Sequence, residues 1–260
     1  MKEVFRIMKR SDIIIEVVDA RIPLETRSKE IERFVKKNNK KIMIVINKAD
    51  LVPEGFLKEV QRDIKEERIP CVYLSTKSRK GLRKFREKLK EIAKRIKKDK
   101  IFACVVGYAN VGKSSLINAL RGRHVCETAP IPGWTKKPKL IRISRWLYLY
   151  DTPGVIPMER SRAEILGLIR AEKIKDPISV AKRLLEIISK DFPEEIKRIY
   201  KVETIKESGE EILRDISIRM GRLKKGGEPD LETTARKIIK DWYEGKIRAS
   251  FRKLFLNQED

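Results

Sequence analysis

Gly107-Tyr-Ala-Asn-Val-Gly112-Lys113-Ser114 is the stretch whose residue types and spacing speak most directly of chemistry. Glycines so placed let the backbone curl. The N–H groups from Asn110 through Val111, Gly112, Lys113, Ser114 and Ser115 can then converge on phosphate oxygens, helped by the positive end of the helix that follows. Lys113 is expected to reach the outer phosphates, and the Ser114 hydroxyl to ligate Mg²⁺. The motif follows an apolar run and opens a helical one at Ser115–Leu120, which is the context phosphate binding requires.

Asp151-Thr152-Pro153-Gly154 ends another apolar run. Alone, such a tetrad could be a mere turn. Downstream of a phosphate loop it predicts that Asp151 holds Mg²⁺ through water and that the Gly154 N–H faces a γ-phosphate. Between the two lies Thr128-Ala-Pro-Ile-Pro-Gly133-Trp134-Thr135-Lys136. Thr135 is the threonine expected to close on the metal, with Thr128 as the alternative and an ordinary Pro/Gly loop as the bland reading. Lys113, Thr135 and Gly154 are thus the candidate catalytic residues. Ser114, Thr135 and Asp151 are the candidate Mg²⁺ ligands.

Asn47-Lys48-Ala49-Asp50 suits a guanine base. The Asp50 carboxylate can accept from two donors of guanine that adenine lacks. Lys48 can lie along the ring, and Asn47 can brace the loop. Ser75-Thr76-Lys77 then offers backbone N–H groups to the purine oxygen. Each short match is weak, but with the phosphate loop they predict GTP and GDP as ligands rather than adenine nucleotides.

The elements that must position these residues alternate. Runs at 12–18, 41–46, 72–75 and 101–106 are short, β-branched and almost continuously apolar, as strands covered on both faces are. Residues 139–143 and 146–150 read as a strand pair. Helical spacing appears at 30–37, 54–68 and 81–98. After about residue 157 strand signals vanish. Asp176-Pro177, the capping box Ser208-x-x-Glu211, and Asp230 each announce a helix, while Phe192-Pro193 reads as a break. The division predicted is an α/β domain over 1–158 and a small all-helical domain over 159–260.

Sixty-two Lys and Arg stand against 38 Asp and Glu in 260 residues, a net charge of +24. A thermophile surface explains many charges but not the imbalance of sign. The surplus points to a polyanion, nucleic acid ahead of an anionic membrane. No apolar stretch is long enough to cross a bilayer, and the first twelve residues are too broken by charge for a secretory signal. The expectation is a cytoplasmic, monomeric protein with no membrane partner. Cys71, Cys104 and Cys126 lack metal spacing, and His124, the only histidine, has no evident metal partners.

Motif order is the oddity. In Ras-like GTPases the phosphate loop comes first and base recognition last, whereas here base recognition precedes both the phosphate loop and the switches. In this the chain resembles the circularly permuted TRAFAC-class GTPases of the YlqF/YawG family. Asp19-Ala-Arg21-Ile-Pro23 resembles that family's DAR segment, and Leu223–Asp230 and Asp241–Lys246 resemble its helical tail. The resemblance implies a Ras-like fold with a helical RNA-binding domain. It implies GTP hydrolysis as a switch in large ribosomal subunit assembly, with the large subunit or its rRNA as partner.

The chain also departs from the pattern. Bacterial members carry Gly-His-Met near the N-terminus, and residues 1–10 here hold no His, which suggests an archaeal or divergent member. Val155 stands where Ras-type enzymes place a water-orienting Gln. Several GTPases with an apolar residue there use K⁺, and Asn110 matches the position of their K⁺ ligand; the alternative is that Asn110 only shapes the loop. A GTP-binding RNA module with little turnover, and a GTPase acting on another RNA, are the competing functions. Arg222, Lys224, Lys225, Lys246, Arg248, Arg252 and Lys253 are the candidate phosphate contacts.

Overall fold

The computed structural model describes residues 2–122, 139–153, 159–169 and 171–251. The chain forms two compact units, Met1–Pro157 with Ser250–Asp260, and Met158–Ala249. Ser250 and Phe251, which the division at 159–260 expected in the helical part, group with the first unit. There the Phe251 N–H donates to Arg21 O at 2.7 Å.

In chain order the first unit runs α1 (Lys2–Arg10), β1 (Ile13–Asp19), α2 (Lys29–Lys37), β2 (Lys41–Asn47), α3 (Glu54–Glu66), β3 (Cys71–Tyr73), α4 (Leu82–Lys94), β4 (Ile101–Val106), α5 (Lys113–Arg121), β5 (Lys139–Arg142) and β6 (Leu147–Asp151). The sheet order is β3-β2-β1-β4-β6-β5. β5 is antiparallel to β6, and the other neighbours are parallel. Every residue of β1 is buried, which is why the run reads as continuously apolar rather than alternating. Even-numbered residues such as Ile14, Val18, Ile44, Cys104 and Val106 pack under α1, α2 and α3. Ile13, Ile15, Val17, Met43 and Val105 are equally buried and point the other way. Their cover falls to the remaining helices of this unit, α4 and α5.

The second unit holds α6 (Arg160–Ile165), α7 (Pro177–Asp191), α8 (Pro193–Tyr200), α9 (Gly209–Arg219) and α10 (Leu231–Tyr243). Leu184, Leu185, Ile188, Leu213, Ile216, Ile239 and Trp242 form its core. Trp242 donates its ring N–H to Ile165 O at 2.8 Å. At Gly209 a side chain would meet Lys182 O at 2.2 Å, so only glycine lets α9 start this close to α7.

Three helices escape the sequence pattern. α1 is charged at five of its nine positions, which hides the buried trio Val4, Ile7 and Met8 at helical spacing. Phe192-Pro193 does end α7, but Pro193 then opens α8 as its first residue, where a missing N–H costs nothing. α6, with six residues, is too short for a periodic signal.

One buried carboxyl marks the centre of the sheet. Glu16 Oε1 accepts the Ser28 N–H at 2.7 Å, while Oε2 has no hydrogen-bond partner. Burial pushes its pKa from 4.5 up to about 8. The folded state therefore holds a proton that the unfolded chain releases, and stability is lost as pH rises through that interval. Glu16→Gln keeps the acceptor and removes the titration. In urea unfolding the variant should gain on the wild type between pH 5 and 8, at up to about 1.4 kcal/mol per pH unit. Parallel pH profiles would show that Glu16 is charged or solvated in the fold.

Candidate functional site

The residues singled out for chemistry lie at the carboxyl edge of the parallel sheet, where α/β proteins bind ligands. Asp19 ends β1, Asn47 ends β2, Ser75 follows β3, Gly107 follows β4 and Asp151 ends β6. Register puts Asp19 opposite Asn47, while Asp151, opposite Val105 and through it Ile15, lies four residues lower along the sheet.

The phosphate loop turns directly into α5. Gly112 sits at its N-cap with φ +98°, and no side chain caps the helix, so its first N–H groups face outward. Lys113 folds over the loop, donating to Gly107 O at 3.1 Å and Tyr108 O at 2.6 Å. Burial lowers its pKa to about 8, against the pull of Asp151. A phosphate group would supply the negative charge that two carbonyls lack. Ser114 donates its hydroxyl to Asp151 Oδ2 at 2.8 Å, and Asp151 Oδ1 is buried without a hydrogen-bond partner. A hydroxyl beside an underused carboxylate fits a Mg²⁺ site completed by phosphate and water oxygens. Thr152 anchors this strand end through a 2.7 Å bond to Val105 O.

Asn47 joins this centre to the base-recognition loops. Its Nδ2 donates to Val111 O at 2.8 Å, and its Oδ1 accepts from the Thr76 N–H at 3.2 Å. A Cβ on Gly112 would stand 2.1 Å from that Nδ2, so glycine is required for the two loops to meet. Asp50 is exposed in the 3-10 turn Ala49–Leu51, where its carboxylate can accept from a base. Asp50 and Ser75 also border a groove of about 610 Å³ that runs past Tyr73, Lys80 and Gly81 to Arg83 and Lys84.

Two of the three amides expected to reach the purine oxygen are engaged within the protein. Ser75 N–H donates to Lys80 O at 3.0 Å and Thr76 N–H to Asn47. The backbone folds back on itself here, which leaves the Lys77 N–H for that task.

Lys48 has a partner that spacing did not reveal. Its Nζ donates to Asp19 Oδ2 at 2.6 Å. Asp19 also receives the Arg21 guanidinium through both oxygens, at 3.1 and 2.9 Å, and the Arg21 N–H at 3.0 Å. Burial alone would raise the Asp19 pKa, but the charges of Arg21 and Lys48 outweigh it and hold the carboxyl well below its usual range. The available signal was an acid at a strand end, level with Asn47.

Thr128, Thr135, Gly154 and Val155 lie outside the described residues, as do Cys126 and His124. Asn110 adopts the left-handed conformation, φ 59°. Cys71 and Cys104 are buried thiols whose pKa burial pushes up to about 12, which makes them unreactive. Among the described residues no helix is long and apolar enough to cross a membrane.

Comparison with known proteins agrees with this edge. The family described as "50S ribosome-binding GTPase" matches residues 102–217, and "Elongation factor Tu GTP binding domain" matches residues 1–120. An uncharacterized GTP-binding protein of Methanocaldococcus jannaschii is 38% identical over 95% of this chain and 65% of its own length. Nuclear/nucleolar GTPase 2 of Oryza sativa is 36% identical over 94% of this chain and 46% of its own. The chain thus spans less than two thirds of these relatives. GNP-bound YlqF from T. maritima superposes with a TM-score of 0.70, at 22% identity, over 97% of each chain. The chain thus has the fold of YlqF, and its relatives in sequence are GTP-binding proteins. That fold explains why one edge collects motifs in an order that no unpermuted G domain follows.

If Asn47 holds a YlqF-like site together, Asn47→Ala should weaken GTP and GDP equally. One buried and one half-buried bond are lost, so about tenfold or more in affinity is expected by calorimetry. A loss confined to one nucleotide would assign Asn47 to the switch instead.

Proposed function

We propose that this protein binds GTP with Mg²⁺ and hydrolyses it to GDP and phosphate, as a switch in assembly of the large ribosomal subunit, which it contacts through rRNA in the cytoplasm. The observation that carries this reading is Asn47, which bonds the phosphate loop on one side and the base-recognition loop on the other. Its edge would hold a guanine at Asp50 and phosphates at Gly112, Lys113 and Ser114. Mg²⁺, bound by Ser114, Asp151 and Thr135, would neutralise charge on the outer phosphates. Lys113 would stabilise the charge that develops as water displaces GDP from the γ-phosphorus, and Gly154 would orient that phosphate. No side chain is assigned as general base.

Val155 after Asp-Thr-Pro-Gly supports slow turnover by the protein alone, because no Gln stands there to orient water. The names of the relatives and the surplus of cations support ribosomal RNA as the stimulating partner. In the helical unit, Arg222, Arg236, Lys237 and Lys240 line a concavity of about 410 Å³ together with Glu172, and Arg236, Lys237 and Lys240 each have a carboxylate partner. Lys224, Lys225 and Arg248 are exposed beside solvent, whereas Lys246 is committed to Asp241 and Glu244. Arg252 and Lys253 lie outside the described residues.

Base choice is tested at Asp50. Asp50→Asn offers an amide donor where guanine presents donors, but xanthine presents an oxygen. The variant should lose GTP affinity and gain xanthosine triphosphate; unchanged GTP binding would remove Asp50 from the site. Turnover is tested with and without large subunits, in K⁺ and in Na⁺ at equal ionic strength. Subunits should accelerate hydrolysis about tenfold or more, and K⁺ should exceed Na⁺ if Asn110 is its ligand. Equal rates in both salts count against K⁺, and indifference to subunits counts against the ribosomal partner.

A further inference from the structure

The surplus charge is not where the helical tail would put it. The first unit holds 40 of the 62 Lys and Arg and 20 of the 38 Asp and Glu, a net of +20; the second holds the other 22 and 18, a net of +4. Cations are about equally dense in the two units. What differs is the acid, which in the helical unit nearly balances them. Balanced mixing is what a surface adapted to heat looks like, so the first unit needs another explanation.

Within it the excess concentrates at residues 77–100, which carry 13 Lys and Arg against three Asp and Glu. This segment contains α4. Leu82, Phe85, Leu89, Ile92 and Ala93 bury one face of that helix. Arg83, Arg86, Lys90 and Lys94 recur at i, i+3, i+7 and i+11 along one flank, and all four are exposed. Arg86 donates to Leu120 O and Arg79 to Ala119 O, near the end of α5. Carbonyls orient these guanidiniums without cancelling their charge. Carboxylates reach only a few of the others: Glu91 pairs with Lys88, Asp12 with Lys98, and Glu87 lies 3.8 Å from Arg83. Among the described residues Lys80, Lys84, Lys90, Lys94, Arg95, Lys97 and Lys100 have no ion-pair partner. Arg83 and Lys84 also line the groove that reaches Asp50 and Ser75.

We infer that the outer flank of α4 is an RNA-docking surface on the G domain itself, which follows the phosphate backbone beside the guanine-recognition edge. The inference rests on the reading of RNA as partner and moves its main contact out of the helical unit. Like charges crowded on one helix repel each other, and a polyanion relieves that repulsion by displacing counterions. A helix of 13 residues is about 20 Å long, enough to run along several phosphates. Backbone rather than base readout fits a surface of Lys and Arg without aromatic rings. An anionic membrane fits less well, because the exposed large apolar residues among those described, Leu140, Ile218 and Leu223, are not on α4.

The test uses the full chain with a GTP analogue, and as probes deproteinised large-subunit rRNA and phosphatidylserine vesicles. Affinity is measured across a salt series for the wild type and for a variant combining Lys84→Gln, Lys90→Gln, Lys94→Gln and Arg95→Gln. Each lost phosphate contact lowers the slope of log affinity against log salt by about 0.7–0.9, so the slope should fall by about three. The single variants Lys84→Gln and Lys90→Gln should each lower it by just under one, and an unchanged thermal unfolding midpoint serves as the check of folding. A Lys224→Gln, Lys225→Gln double variant probes the helical unit. If it loses rRNA while the α4 variants keep wild-type slopes, the α4 surface is overturned and RNA as partner stands. A wild type whose rRNA binding ignores salt overturns both. Loss of vesicle binding with unchanged rRNA binding assigns α4 to a membrane and overturns the inference.

Discussion

The side chain of Asn47 stands between two loops that lie far apart in the sequence. It donates to Val111 O and accepts from the Thr76 N–H, and it leaves no room for a side chain on Gly112. The base-recognition turn and the phosphate loop are thereby one rigid object rather than two sites on neighbouring strands. The distance from base to phosphates is fixed by the protein before any nucleotide arrives. Preorganisation of this kind lowers the ordering cost of binding. It also explains why the parallel sheet matters to the chemistry: β1 and β2 end together at Asp19 and Asn47, while β4 ends three residues lower, opposite Glu16, so the phosphate loop that follows it can reach Asn47.

Electrostatics around this brace follow a consistent logic. Asp19 is buried and still charged because Arg21 meets both of its oxygens and Lys48 a third time. One anion against two cations leaves this cluster with a net positive charge. Lys113 lacks such a partner and is pushed toward its neutral form. Glu16, buried three residues before Asp19 on β1 with a single amide donor, is pushed the same way. Of the buried ions, those with full counter-charges are structural. Lys113 is underpaired and faces the place where phosphates are expected, as a functional group should.

Much of this edge was legible in the sequence because it is local. A glycine-rich turn, a strand end and a short tetrad are contiguous words, and their residue types are dictated by backbone conformation and hydrogen-bonding chemistry. What escaped was relational. Nothing adjacent to Asp19 in the chain predicts that Lys48 will reach it. The amides of Ser75 and Thr76 looked available because the bonds that occupy them come from Lys80 O and Asn47. α1 was hidden by its own surface, since charged residues on the solvent face blur a short apolar stripe. Pro193 was read as a stop because a proline ends one helix and begins another with equal ease.

Charge misled for a different reason. A net of +24 is a property of the whole chain, and an electropositive protein with a helical tail invites the tail to take the credit. Division into units places the surplus in the first unit, because acids and not bases differ between them. Several acidic residues in the helical unit make ordinary local pairs, such as Glu195 with Arg198 and Glu232 with Arg236. Along α4 those pairs are largely missing. A helix that keeps its cations unpaired gives up the few tenths of a kcal/mol that each i,i+4 pair supplies. Circular permutation makes the location sensible. It leaves β1, β2, β3 and α4 as the leading part of the chain, before the phosphate loop, and so ties the most cationic helix directly to the strands that end in Asn47 and Ser75. A polyanion seated on α4 would touch the same segment that recognises the base, so that nucleotide and nucleic acid would act on one stretch of backbone, without a signal having to cross between the units.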